Sequence, residues 1–135
     1  MNNRSPFQIV ILISCILTGL VGLITGSSSP ASIAEVYGDW AVLWNIGVVL
    51  GGAGTLGAMF SPVPANLLVE RVGMIWLATM FFAYGVAIAL YNDPDRVVAG
   101  LGTDLALATA CLVRAYQISR QLAALRQALR EGRAE

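Results

Sequence analysis

Few side chains in this sequence could carry chemistry, and the strongest candidate is a single aspartate. Asp104 follows Pro94 by ten residues, about 15 Å along a helix, within an otherwise apolar segment. A carboxylate inside a membrane is costly and by default a functional candidate. The alternative is that Gly100, Gly102 and Thr103 mark an irregular helix start, where Asp104 would cap the helix at the membrane surface.

Two other polar side chains also fall in apolar segments. Asn45 stands near the start of one segment, where it could bond to Ser14, to Thr18 or to another helix. Arg114 stands near the far end of the Asp104 segment, and its long side chain is expected to reach the lipid headgroups. A buried Asp104 could be partnered by Asn45 or by a water-filled lumen.

The sequence contains no enzyme signature. It has no histidine, the commonest general base and metal ligand. Cys15 and Cys111 lie in apolar segments, where reduced and inert packing residues are expected. The glycine-rich stretch at 51–54 lacks the lysine of a phosphate loop. We therefore expect neither catalysis, nor a metal, nor a cofactor.

The composition indicates a membrane protein. Of 135 residues, 57% are hydrophobic and only 12% are charged, whereas soluble domains carry about a quarter charged residues. The mean hydropathy is +0.73. The formal net charge is zero, so no basic field suggests nucleic acid as a partner. The predicted fold class is all-α and integral to the membrane.

Four apolar segments predict four transmembrane helices, at about residues 7–26, 40–60, 73–91 and 97–116. Together they form a predicted transmembrane domain, residues 1–116. A secretory signal peptide cleaved near Ala34 is a rival interpretation of the first segment, but its apolar run exceeds the usual signal core. The third segment is rich in bulky aromatic side chains and is expected to face lipid.

Small residues recur along the first two predicted helices. On the second helix they follow a 4-3-4 spacing, at Gly47, Gly51, Gly54 and Ala58. On the first helix they recur every four residues, at Ser14, Thr18, Gly22 and Gly26. Such faces let helices approach closely in lipid. The first helix is expected to pack on the groove of the second, although the groove could instead hold another copy of the chain.

Residues 117–135 predict an amphipathic, cytoplasmic helical tail that continues the fourth helix, since no helix breaker precedes Gly132. Its apolar stripe consists of Ile118, Leu122, Leu125 and Leu129. Four arginines and two glutamates occupy the rest of the tail. The stripe could form a short coiled coil, lie on the membrane surface or dock on the segment at 61–71.

The arginines predict the orientation of the chain. With four spans, seven of the eight arginines fall on the side of the termini, and only Arg96 falls on the other side. Positive residues accumulate on the cytoplasmic side of membrane proteins. Both termini of a multi-pass protein of the inner, cytoplasmic membrane are therefore expected in the cytoplasm.

This architecture resembles that of small holin-like membrane proteins from phages of GC-rich, actinobacterial hosts. The resemblance spans the whole chain but rests on no residue motif, so it assigns no site residues. It implies a self-associating protein that forms a pore or lesion, with the lipid bilayer and further copies as partners. One alternative is a non-catalytic structural or assembly subunit of a larger membrane complex. Another is a small proton-coupled transporter that uses Asp104. The small multidrug transporters are similar in length and number of spans, but they need a glutamate in the first span. The first span of this chain has no acidic residue.

Overall fold

The described residues form four α-helices. The computed structural model describes residues 6–26, 38, 41–61, 66–91 and 94–131, without the side chains of 41, 91 and 94–99. The helices are α1, Pro6–Thr25; α2, Ala41–Phe60; α3, Asn66–Tyr91; and α4, Pro94–Glu131. The described part of the chain is therefore all-helical, as its composition and periodicity predict.

Three of the helices are long and apolar enough to cross a membrane, over Pro6–Thr25, Val42–Phe60 and Asn66–Leu90. Their outward faces carry exposed large apolar side chains, among them Ile24, Leu50 and Leu90. Such faces suit a hydrocarbon surrounding. The opening residues of the predicted fourth span, 97–99, have no described side chains, and a fourth crossing stays a prediction.

Each helix packs on the next one in the chain. The interface between α3 and α4 is the most extensive, followed by that of α1 with α2 and that of α2 with α3. Within the described residues, no Cα atom of α1 lies within 8 Å of one in α4. The bundle is therefore loosely packed along the seam between its first helix, α1, and its last helix, α4.

Glycines bring α1 and α2 together. A Cβ added to Gly19 would lie 2.9 Å from the backbone oxygen of Asn45, and one added to Gly52 would lie 3.3 Å from that of Leu12. Neither position admits a larger side chain without a shift of backbone. The small residues of α1 thus do pack on α2, but in a different register from the predicted one.

The buried stripe of α1 consists of Leu12, Cys15, Gly19 and Gly22. Of the predicted face, only Gly22 belongs to it, because steps of four residues drift by about 40° each around a helix of 3.6 residues per turn. Ser14 and Thr18 are exposed. Gly26 has φ +63° and follows the last residue of α1, the position at which helices commonly end on a left-handed glycine.

The glycine groove of α2 is filled by α3 rather than by α1. A Cβ added to Gly51 would lie 2.7 Å from Trp76 Cδ1, and Trp76 Nε1 donates a hydrogen bond to the Gly47 backbone oxygen at 2.9 Å. Trp76, expected to face lipid with the rest of the aromatic third helix, contacts α2 and yet is 47% exposed. Its flat indole covers the bare backbone that two glycines expose. Ala58, further along α2, is half-buried.

A second close crossing joins α2 to α3. Thr55 is fully buried, and its hydroxyl donates to the Gly51 backbone oxygen at 2.6 Å. That hydroxyl occupies the place where a side chain on Gly73 would begin. The hydrophobic core of the bundle includes Leu12, Met59, Leu77 and Cys111.

The fourth helix, α4, is a continuous rod that is longer than its neighbour α3. It has 38 residues against the 26 of α3, a difference of about 18 Å. Along the predicted stripe, Ile118 is buried and Leu122 is half-buried, whereas Leu125 and Leu129 are exposed. The continuation of α4 into the tail is as predicted as far as Glu131; the final residues, 132–135, lie outside the described part.

Candidate functional site: a polar cavity in the helix bundle

A cavity of about 400 Å³ lies within the bundle and is lined by residues from all four helices. Its aromatic wall consists of Trp44, Phe81 and Tyr84. Its polar lining is provided by Ser14, Thr18, Asn45 and Asp104. The structure therefore brings two of the three predicted intramembrane polar residues, Asn45 and Asp104, to one site.

Asp104 lines this cavity from the first third of α4. Only 6% of the residue is exposed, and its Oδ2 atom is buried without a hydrogen-bond partner. A Cβ added to Gly85 of α3 would lie 3.6 Å from the Asp104 Cβ, so the small glycine lets the carboxyl group sit against α3. The alternative in which Asp104 caps a helix start is wrong, because α4 begins ten residues earlier at Pro94.

Asn45 approaches the cavity from α2. It is 2% exposed, and its Oδ1 atom also has no hydrogen-bond partner. A Cβ added to Gly22 would lie 2.6 Å from Asn45 Nδ2, so this glycine makes room for the amide. The expected hydrogen bond between Asn45 and Asp104 is not formed, since Asn45 Oδ1 and Asp104 Oδ2 both lack a partner, although both residues line one cavity.

Arg114 does not extend freely to the headgroups. Its Nε and Nη2 atoms both donate to Glu70 Oε1, at 3.0 and 2.8 Å. The Arg114 side chain is 17% exposed and the Glu70 side chain is 5% exposed. Sequence reasoning missed this pair because it placed Glu70 in a loop, whereas α3 begins at Asn66 rather than at residue 73. The signal available was the presence of opposite charges on two consecutive apolar helices, Glu70 close before the third predicted span and Arg114 within the fourth.

Among the described side chains of α4, no arginine lies beside the carboxylate of Asp104. Ten residues separate Asp104 from Arg114, about 15 Å along α4, and Arg114 is already bonded to Glu70. No cluster of three or more His, Cys, Asp or Glu side chains that could hold a metal occurs among the described residues. The cavity chemistry therefore rests on one carboxylate, one amide and aromatic rings.

Comparison with protein-family models, with curated proteins and with solved structures finds no match to this chain. The fold and the cavity define its class: a small helical protein with three helices able to cross a membrane.

Proposed function

We propose that this protein spans the inner membrane four times, has both termini in the cytoplasm and self-associates there as a holin-like pore or lesion former. The proposal assigns no catalysis. Three apolar helices support the membrane location, and the distribution of arginines supports the orientation. Self-association is carried by one observation on the outer surface of α2.

The small-residue face of α2 divides into an inward and an outward half. Gly47 and Gly51 are covered by α3, but a Cβ added to Gly54 would meet no atom within 4 Å. Gly54 lies in an open apolar groove of about 290 Å³ between α2 and α3, bordered by Leu50, Val69 and Val72. Bare helix backbone in lipid is a preferred surface for close helix association. In our proposal the occupant of this groove is a helix of a second copy.

Leucine substitutions separate the two halves of the face. We expect Gly54→Leu to fold and insert normally while crosslinked oligomers in membranes disappear, because the new Cβ meets no atom within 4 Å and the leucine side chain occupies the open groove. Gly51→Leu collides with Trp76 and should destabilise the monomer itself. Gly102→Leu is the matched control, since this exposed glycine of α4 also has open space above it.

Persistence of the oligomer in Gly54→Leu, at the same level as in Gly102→Leu, would refute the groove as the contact between copies. Pore formation has its own readout. Wild-type protein in planar bilayers should give conductance that Gly54→Leu lacks.

One observation favours a second candidate function, an assembly subunit of a larger complex. Leu129 on the rod of α4 is 70% exposed, and no described residue covers it. A subunit of this kind would give no conductance in planar bilayers and would co-purify with other membrane chains through the rod. Substitution of Leu125 and Leu129 by serine would release those chains while leaving the bundle intact.

A further inference from the structure

Independently of self-association, we propose that the cavity between the helices binds a small organic ammonium ion. The Asp104 carboxylate serves as its counter-ion and the Asn45 amide oxygen as a second acceptor. The proposal concerns a binding site and includes no chemical step.

Both unsatisfied atoms in the cavity need a donor. Asn45 Oδ1 and Asp104 Oδ2 are hydrogen-bond acceptors, and each is buried without a partner. A buried polar atom that forms no hydrogen bond costs free energy, which a bound donor recovers. Because both atoms belong to residues that line one cavity, they indicate a ligand with several N–H groups.

Among the described residues, no positively charged side chain lines the cavity. The described arginines lie at the inner ends of α3 and α4 or on the tail, and Arg114 is held by Glu70. A carboxylate in a low-dielectric site is stabilised by a cation that comes with its own hydrogen-bond donors. A divalent metal ion fits poorly, because one carboxylate and one amide fall far short of the six to eight oxygen ligands that Ca²⁺ takes.

The remaining wall suits an apolar, partly aromatic body. Trp44 and Tyr84 stand with ring centroids 6.0 Å apart at an interplanar angle of 45°, and Phe81 adds a third ring. Aromatic faces attract cations within about 6 Å of the ring centroid. The volume of about 400 Å³ falls within the range of small-molecule sites.

Access to the cavity follows the seam between α1 and α4. No described Cα atoms of these helices approach within 8 Å, and two exposed residues of α1, Ser14 and Thr18, line the cavity. A second, smaller void of about 50 Å³ lies between Ile11 of α1 and Leu107 of α4. An amphipathic amine dissolved in the bilayer would reach Asp104 sideways through this loosely packed seam.

Calorimetric titration tests the proposal. Wild-type protein in phosphatidylcholine nanodiscs is titrated with 2-phenylethylammonium chloride, and empty nanodiscs are titrated to subtract partition into lipid. We expect saturable binding to the wild type. Asp104→Asn, which keeps the shape and removes the charge, should weaken it by about tenfold or more. The neutral analogue 2-phenylethanol should bind at least about tenfold more weakly than the amine for the same reason.

Two further variants make the test specific. Glu131→Gln removes a carboxylate from the exposed end of α4 and should bind the amine like the wild type. Asn45→Leu, of similar shape, should weaken the amine by a few-fold, about the effect of one lost hydrogen bond, and can be measured if Asp104→Asn fails to fold. Absence of saturable binding to the wild type, or equal affinity in wild type, Asp104→Asn and Asn45→Leu, would overturn the proposal.

Discussion

Removal of Arg114 is expected to destabilise the bundle more than removal of its partner, Glu70. The two side chains share two hydrogen bonds to one carboxylate oxygen, at 2.8 and 3.0 Å. Substituting either residue by leucine breaks both bonds and leaves one charge alone. The two single variants differ in what becomes of that charge.

The expected magnitudes follow from the position of each group. In Arg114→Leu the Glu70 side chain, which is 5% exposed in the wild-type geometry, carries a buried charge without its partner. Breaking a buried pair in this way costs about 3–5 kcal/mol. In Glu70→Leu the guanidinium starts from 17% exposure and can extend to the headgroups, since it lies near the inner end of α4. We expect about 1–3 kcal/mol for that variant.

The double variant, Glu70→Leu with Arg114→Leu, distinguishes pairing from simple loss of contacts. Replacing both partners of a buried pair with apolar residues is often nearly neutral, so its stability should lie within about 1 kcal/mol of the wild type. The assay is reversible unfolding in mixed micelles, followed by far-ultraviolet circular dichroism, for all four proteins. Additive losses in the double variant, or a larger loss for Glu70→Leu than for Arg114→Leu, would refute this account.

Three further outcomes are expected. Gly73→Ala should lower the free energy of unfolding by about 1–3 kcal/mol, because its new methyl group overlaps the Thr55 hydroxyl. Adding Thr55→Ala to the same chain should restore much of that loss in the same unfolding assay. Trp76→Phe should cost about 1 kcal/mol through its lost hydrogen bond to α2, with no change in helix content. Cysteines introduced at Ser28 and Arg133, both outside the described residues, should react with an impermeant maleimide from opposite faces of sealed vesicles; labelling of both from one face would contradict four crossings.

Helix positions could be predicted well where hydropathy alone determines them. The first two spans, predicted at about 7–26 and 40–60, correspond to Pro6–Thr25 and Ala41–Phe60. The start of the third helix could not be predicted in the same way, because Glu70 reads as a residue outside the membrane. Its burial depends on Arg114, which is 44 residues away in sequence, and a pattern within one segment carries no information about such a partner.

Contacts between helices were harder to predict than the helices themselves. The small residues indicate that α1 and α2 pack closely against other helices. Which helix contacts each glycine depends on the rotation of the helices about their axes. The rotation places Trp76 over Gly51 and leaves Gly54 open. Asp104 and Asn45 stood out by their polarity, yet only the assembled bundle shows that both face one cavity.

Sequential packing also orders the assembly of the chain. Because each helix contacts the one before it, α2 can dock on α1, and α3 on α2, as each segment leaves the ribosome. Contacts between neighbours in sequence form quickly, since little chain entropy is lost in closing them. The seam between α1 and α4 joins the two ends of the bundle and is therefore completed last. A bundle built in this order is most easily reopened at the same place, without unfolding any helix.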